Sequence, residues 1–225
     1  MEKMLQQLPR VLLPWYEANK RELPWRKGKD PYHIWVSEIM LQQTRVEAVK
    51  GYYARFLEKL PRVEDLANAP DDLLHKLWEG LGYYNRVKNM KKAAQVILSE
   101  YGGQFPEEHK SVLALPGIGA YTAGAICSIC YDDPTPAVDG NVLRVISRIR
   151  MDERLISDAK VKQSVEQELW KVMNCNSKDT PVLLLQLLHR RQVLLFPLLC
   201  GTSNQMMKKT LTDMKAILLI TSKRM

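Results

Sequence analysis

Long apolar runs, a cysteine framework and alternating apolar and polar residues are all missing from this 225-residue chain. No stretch approaches the roughly 20 apolar residues of a membrane span, so no membrane partner is expected. The N-terminal MEKMLQQLPRVLLPW has only a short apolar patch and no small-residue cleavage site. That argues against an export signal and for a cytoplasmic location. Four cysteines without such a signal fit a reducing compartment better than a disulfide-built fold. The four histidines, His33, His75, His109 and His189, form no ligand pattern, so a zinc enzyme lacks its donors.

The charge is less informative than its total suggests. A net charge of +8 looks like a nucleic-acid footprint. Of 33 basic and 25 acidic residues, however, seven and one fall from Thr180 onward, so residues 1–179 hold 26 and 24, a net of +2. Bulk charge is therefore poor ground for DNA binding, and local sites must carry it.

What is present is helical periodicity, which predicts an all-α fold. A first amphipathic helix is expected over 4–18, then a loop broken by Pro24 and Gly28. Asp30-Pro31 is a helix start, with Asp as N-cap and Pro at the first helical position. The spacing predicts further helices through YHIWVSEIMLQQ, over about 45–59, in APDDLLHKLWEGLG and in NRVKNMKKAAQVILSEYGG, the last two ended by glycine. Helix, turn and helix are expected over 107–131, then two more helices in DGNVLRVISRIR and SDAKVKQSVEQELWKVM. The chain divides into 1–179 and an atypical, Leu-heavy tail over 180–225 with no convincing helical period. That tail reads either as a divergent helical extension or as sequence out of frame after about residue 179.

Several stretches carry chemistry. In LPGIGAYTAGAICSIC (115–130), Gly117 and Gly119 stand in a turn between two helices. Free amides at the second helix's start suit a DNA phosphate; the alternative is an ordinary helix–helix turn. Glu38 shares a helix face with Ile34 and Leu41. A buried carboxyl there suits a general acid, whereas a helix-edge Glu would reach solvent or an Arg such as Arg26. Asp139 lies where a helix begins. It can be an N-cap and also a carboxylate that stabilises a developing cation on a sugar. LQQTR (41–45) and GLGYYNR (80–86) offer amides, aromatics and bases that can fill a gap in a base stack or touch phosphate. The alternatives are core packing for Tyr83 and Tyr84 and a solvated face for Arg86. Cys127 and Cys130 fall on a small apolar helix face, which favours a core role.

Taken together, the segments LPWR (23–26), DPYHIWVSEIMLQQTRVEAV (30–49), WEGLGYYNRVKNMKKAA (78–94), LPGIGAYTAGAI (115–126) and AVDGNVLRVISRI (137–149) closely resemble one enzyme family in content, order and spacing. That family is the A/G-specific adenine DNA glycosylases of the helix-hairpin-helix glycosylase superfamily. The resemblance runs from about Leu12 to Met173. It implies a fold of two helical subdomains with a cleft between them, and base flipping followed by removal of adenine mispaired with 8-oxoguanine or guanine in double-stranded DNA. It also implies a monomeric, DNA-associated protein of bacterial type. By position, Glu38 matches the acid that protonates the leaving base, Asp139 the carboxylate facing the oxocarbenium-like state, and Asn141 a residue beside it. Tyr121 stands where related bifunctional enzymes carry a Schiff-base lysine. A phenol cannot form that imine, so a monofunctional glycosylase is implied. Arg26 matches a base-pocket residue, Gln43 and Tyr83 match residues inserted into the stack with Thr44 and Leu81 near them, and Gly117 and Gly119 match the phosphate clamp.

The chain also departs from the family pattern. The family holds a [4Fe–4S] cluster on four cysteines spaced C-x6-C-x2-C-x5-C, and a C-terminal domain reads 8-oxoguanine. Cys175 and Cys200 do not reproduce that spacing, so no cofactor is expected on this chain. The expectation is thus an adenine glycosylase, active or impaired by these losses. The alternatives are a non-catalytic DNA-binding remnant or an endonuclease III-like lyase, against which Tyr121 argues.

Overall fold

In the computed structural model, residues 20–175 are described, together with Pro14, Glu17 and Ala18. The helix expected over 4–18 lies largely outside the described residues, and the tail from 180 lies wholly outside them. Among the described residues there are nine α-helices, one 3-10 turn at Pro24–Arg26 and no strand. The chain divides into two compact units. One is Glu22–Ala137, and the other is formed by Met1–Arg21 with Val138–Met225.

The first unit is organised around α1 (Pro31–Leu41). The Asp30 carboxylate accepts from the His33 amide at 3.0 Å and Pro31 takes the first turn, as the sequence indicates. After that start the helix is buried on almost every side: Tyr32 and every residue from Ile34 to Leu41 are shielded from solvent. The expected apolar stripe is therefore a fully enclosed helix. Helix α2 (Val46–Lys59) packs on it through Val49, Tyr53 and Phe56, buried at the i, i+4, i+7 spacing of an amphipathic helix. Short α3 (Val63–Asn68), which periodicity alone did not indicate, packs on α5 (Asn85–Glu100). It begins with Asp65 accepting from the Arg62 amide at 2.9 Å. Helix α5 buries Val87, Met90, Ala93, Ala94 and Ile97. Between them, α4 (Asp71–Trp78) places the fully buried Trp78 edge-on to Phe56, with ring centroids 6.0 Å apart.

Helix α6 (His109–Ala114), a five-residue turn and α7 (Ala120–Cys130) form the expected helix-turn-helix. Helix α7 also lies against α1. Its run of small residues lets neighbouring backbone come close. A Cβ at Gly124 would stand 2.8 Å from the Pro136 carbonyl oxygen. The Lys29–Asp132 ion pair (2.8 Å) also links the two ends of this region, but both side chains are more than half exposed, so it adds little.

In the second unit, α8 (Gly140–Arg150) packs on α9 (Ala159–Cys175). Val161, Val165, Leu169 and Val172 are buried at helical spacing. The buried Arg150 pairs with Glu168 across the two helices.

Because the obstacle at Gly124 is backbone and cannot swing aside, Gly124→Ala is expected to cost about 1–3 kcal/mol. A thermal melt should fall by several degrees, whereas Gly28→Ala, with nothing within 4 Å of the added carbon, should melt like the parent.

Candidate active site and nucleic-acid interface

Helix α1 carries Glu38 two turns from its capped start. The residue is 5% exposed, which removes the solvent-edge alternative. Tyr121, in the first turn of α7, donates its hydroxyl to Glu38 Oε2 at 3.4 Å. The α1–α7 packing therefore brings together two site residues 83 positions apart in sequence. Arg26 is half-buried at the end of the 3-10 turn, which itself packs on α1.

Asp139 in the second unit is both the N-cap of α8 and a preset carboxylate. Its Oδ1 accepts from the Asn141 and Val142 amides at 2.9 and 2.8 Å, and its Oδ2 accepts from the Asn141 side-chain amide at 2.9 Å. Arg144, one turn on, donates to the Asn141 carbonyl oxygen and so fixes which way that amide faces. Three N–H donors at the helix start fix the direction in which the carboxylate faces. The N-cap and functional readings of Asp139 thus describe one geometry.

The two hairpin glycines differ. Gly117 has φ +76°, and a Cβ there would stand 2.6 Å from the Asn89 Cβ of α5, so the turn itself demands glycine. Gly119 has an ordinary φ of −93° and nothing within 4 Å of an added carbon. It is the N-cap of α7, and no side chain caps that helix. The first intrahelical bond runs from the Ala123 amide to the Gly119 carbonyl at 2.9 Å, so the amides before it take no part in the helix's own bonding.

Two loops present the residues expected at the DNA stack. In the first, Gln43 is exposed with φ +59° and Thr44 is half-buried, its hydroxyl donating to the Gln42 carbonyl at 3.3 Å. In the second, Tyr83 is 68% exposed with φ +50°, between Gly82 (φ +68°) and α5. Leu81 is 6% exposed and packs inward, so the loop displays Tyr83 rather than Leu81. Left-handed backbone at a non-glycine residue costs roughly 1–2 kcal/mol, and each loop holds one such residue. Gly80 (φ +91°) is also needed, since a Cβ there would run into the Tyr52 hydroxyl.

Sequence reading missed Arg86. It reads there as a phosphate contact or a solvated surface residue, but its guanidinium points inward to backbone carbonyls of both loops. Nη1 donates to Ile39 and Gln42, both at 2.8 Å, and Nη2 donates to Leu81 at 2.9 Å and Gly82 at 3.1 Å. Burial holds its pKa below the usual arginine value. The signal available in sequence was its place directly after a glycine- and tyrosine-rich turn, where an unsatisfied set of carbonyls needs a donor.

The thiols behave as core. Cys127 is fully buried, and burial, helped by nearby Asp133, pushes its pKa up to about 12. Cys127 and Cys130 are two thiols where a four-iron cluster needs four. Among the described residues no three His, Cys, Asp or Glu side chains gather as a metal site. These residues do not fit an iron–sulfur cluster. Cys200 lies outside the described residues.

The described residues thus hold a helix-turn-helix with a glycine at the second helix's start, a buried carboxyl beside a tyrosine and an aspartate that caps its own helix. Residues 36–175 match the HhH-GPD superfamily of base excision DNA repair proteins, and the chain belongs to that family. It is 46% identical to the adenine DNA glycosylase of Rattus norvegicus over 150 residues, covering 63% of this chain and 29% of that protein. It is 42% identical to the adenine DNA glycosylase of Buchnera aphidicola subsp. Acyrthosiphon pisum over 165 residues, covering 72% of this chain and 46% of that one. The chain thus spans under a third to just under half of these relatives. A thermostable thymine-DNA glycosylase superposes with a TM-score of 0.66 at 26% identity, over 82% of this chain and 94% of that one. An endonuclease III bound non-covalently to DNA superposes at 0.68 with 21% identity, over 84% of each chain, and shares the fold. No helix among the described residues is long and apolar enough to cross a membrane.

Gly117→Ala is expected to destabilise the protein by about 1–2 kcal/mol, with Gly119→Ala within about 0.5 kcal/mol of the parent, as read by urea melts. Cys127 should resist iodoacetamide between pH 7 and 9 in the folded protein and label readily in denaturant, as peptide mass spectrometry would show.

Proposed function

We propose that this chain is a monofunctional DNA glycosylase that releases adenine paired with 8-oxoguanine or guanine from duplex DNA. The observation that carries the reading is the buried Glu38 carboxyl with the Tyr121 hydroxyl 3.4 Å away. An acid is present there, and the neighbouring helix start offers a phenol where a lyase would need an amine.

In this reading Gln43 and Tyr83 enter the base stack, with Thr44 and Leu81 behind them, and the target adenine turns out of the duplex toward Arg26 and Glu38. Glu38 gives its proton to a ring nitrogen of the adenine. The glycosidic carbon–nitrogen bond then breaks with its electron pair leaving on the base. Asp139, held by the Asn141 and Val142 amides, faces the positive charge that develops on the sugar. Water adds to the sugar carbon and its proton returns to Glu38, so neutral adenine and an abasic site are the products. Tyr121 lines the sugar side and keeps Glu38 oriented. Gly119 and the open amides of α7 take a backbone phosphate without reading sequence. DNA contact is further supported by the match to a DNA-bound endonuclease III. The assignment to adenine rests on the adenine glycosylase relatives.

Single-turnover adenine release from an 8-oxoguanine:adenine duplex tests this. Glu38→Gln should lose roughly 10²–10⁴-fold in rate and Asp139→Asn roughly 10²–10³-fold, while duplex binding is retained. Gly119→Ala should weaken binding more than it slows chemistry. Binding without release by the parent chain would leave only a DNA-binding module, and strand cleavage without added base would overturn the monofunctional assignment.

A further inference from the structure

We propose that Arg86 is a positioning residue whose single guanidinium locks the Gln43 loop to the Tyr83 loop, so that the two act on a duplex as one rigid wedge. The use of the wedge rests on the glycosylase reading above; the lock itself does not.

Both Nη nitrogens are fully spent, while the Nε–H is buried without a partner. Each of the four Nη hydrogens meets a different carbonyl, Ile39 in the last turn of α1 and Gln42 at the start of the Gln43 loop on one side, and Leu81 and Gly82 of the Tyr83 loop on the other, at 2.8–3.1 Å. None is left to reach outward for a phosphate, so Arg86 does not act as a direct DNA contact. No carboxylate among the described residues pairs with it, and the charge sits instead among carbonyl dipoles and aromatic faces. Its Cζ lies 5.5 Å from the Trp78 ring centroid and 5.6 Å from that of Tyr83. Trp78 completes the seat by donating its Nε1–H to the same Gly82 carbonyl at 3.1 Å.

Both loops need such a device. Each carries a non-glycine residue in the left-handed region, Gln43 in one and Tyr83 in the other, and these are the exposed side chains of the wedge. Strained backbone persists only where surrounding contacts over-determine it. A loop freed from its carbonyl contacts would relax Gln43 or Tyr83 toward ordinary φ and turn the side chain away from its present direction. Lysine, a point donor with three hydrogens, cannot reproduce a planar fork across four carbonyls.

Hydrogen exchange of the full chain, with and without Arg86→Lys, tests the lock without DNA. Peptides covering 39–45 and 79–84 should exchange about tenfold faster or more in the variant, while peptides of α7 stay as protected as in the parent. In the unaltered protein both loops should open with the same protection factor, an arm that does not depend on the variant folding. Loosening of one loop only, or protection factors differing more than about tenfold between the loops, would overturn the proposal. A 2-aminopurine beside the target adenine then reports the wedge. Arg86→Lys should lose the unstacking fluorescence rise, and in a Tyr83→Ala background the same change should have little further effect. An additive loss in that background would overturn the link to the wedge. Loosened loops together with a parent that leaves the probe stacked would uphold the lock and sink the glycosylase reading instead.

Discussion

Enclosing α1 is the constraint on which the first unit depends. A helix buried from Ile34 to Leu41 must be covered on every side, and α2, α7 and the 3-10 turn at Pro24–Arg26 each supply a face. An ionisable side chain inside such a helix is expensive unless something compensates it. Glu38 is that side chain, and the Tyr121 hydroxyl reaches it from the covering helix. The small residues of α7 also let the chain that follows it close on the helix, since Gly124 meets the backbone at Pro136 and Ala137. Fold stability and site geometry are thus set by the same contact surface.

Much of this was legible in the sequence. Asp30-Pro31 marked the start of α1, the Pro-Gly-Ile-Gly turn marked the break between α6 and α7, and Asp139 marked the start of α8, because capping chemistry is local and written in adjacent residues. Glu38 stood out as a carboxyl among apolar neighbours, and its burial followed. Helix α3 was not legible, because six residues hold too few turns to display a period. Nor was the role of Arg86. Its place after a glycine- and tyrosine-rich turn points only to the nearby carbonyls, whereas its other partners are carbonyls up to 47 positions away, which every residue possesses. Leu81 and Tyr83 look equivalent in the string GLGYY, and only the loop's left-handed turns decide that one faces in and the other out.

The paired glycines illustrate how one motif can combine two causes. Gly117 answers to the fold, through its positive φ and the contact with Asn89, and would be required even in a protein that met no ligand. Gly119 serves the fold only as the N-cap of α7 and meets no neighbour within 4 Å of an added carbon, and in the proposed function that open space receives a phosphate. Asp139 combines causes in the opposite manner. The bonds that start α8 are the same bonds that orient its carboxylate, so the helix cap and the carboxylate of the proposed site are one feature.

Among the described residues no carboxylate pairs with Arg86, and this bears on how the protein responds to its medium. An ion pair at the surface weakens as salt rises, and so does any phosphate contact. Carbonyl dipoles packed against a guanidinium offer mobile ions nothing to replace. The two loops therefore keep their shape across a wide range of ionic strength, and in the proposed function the wedge would stand formed before each meeting with DNA.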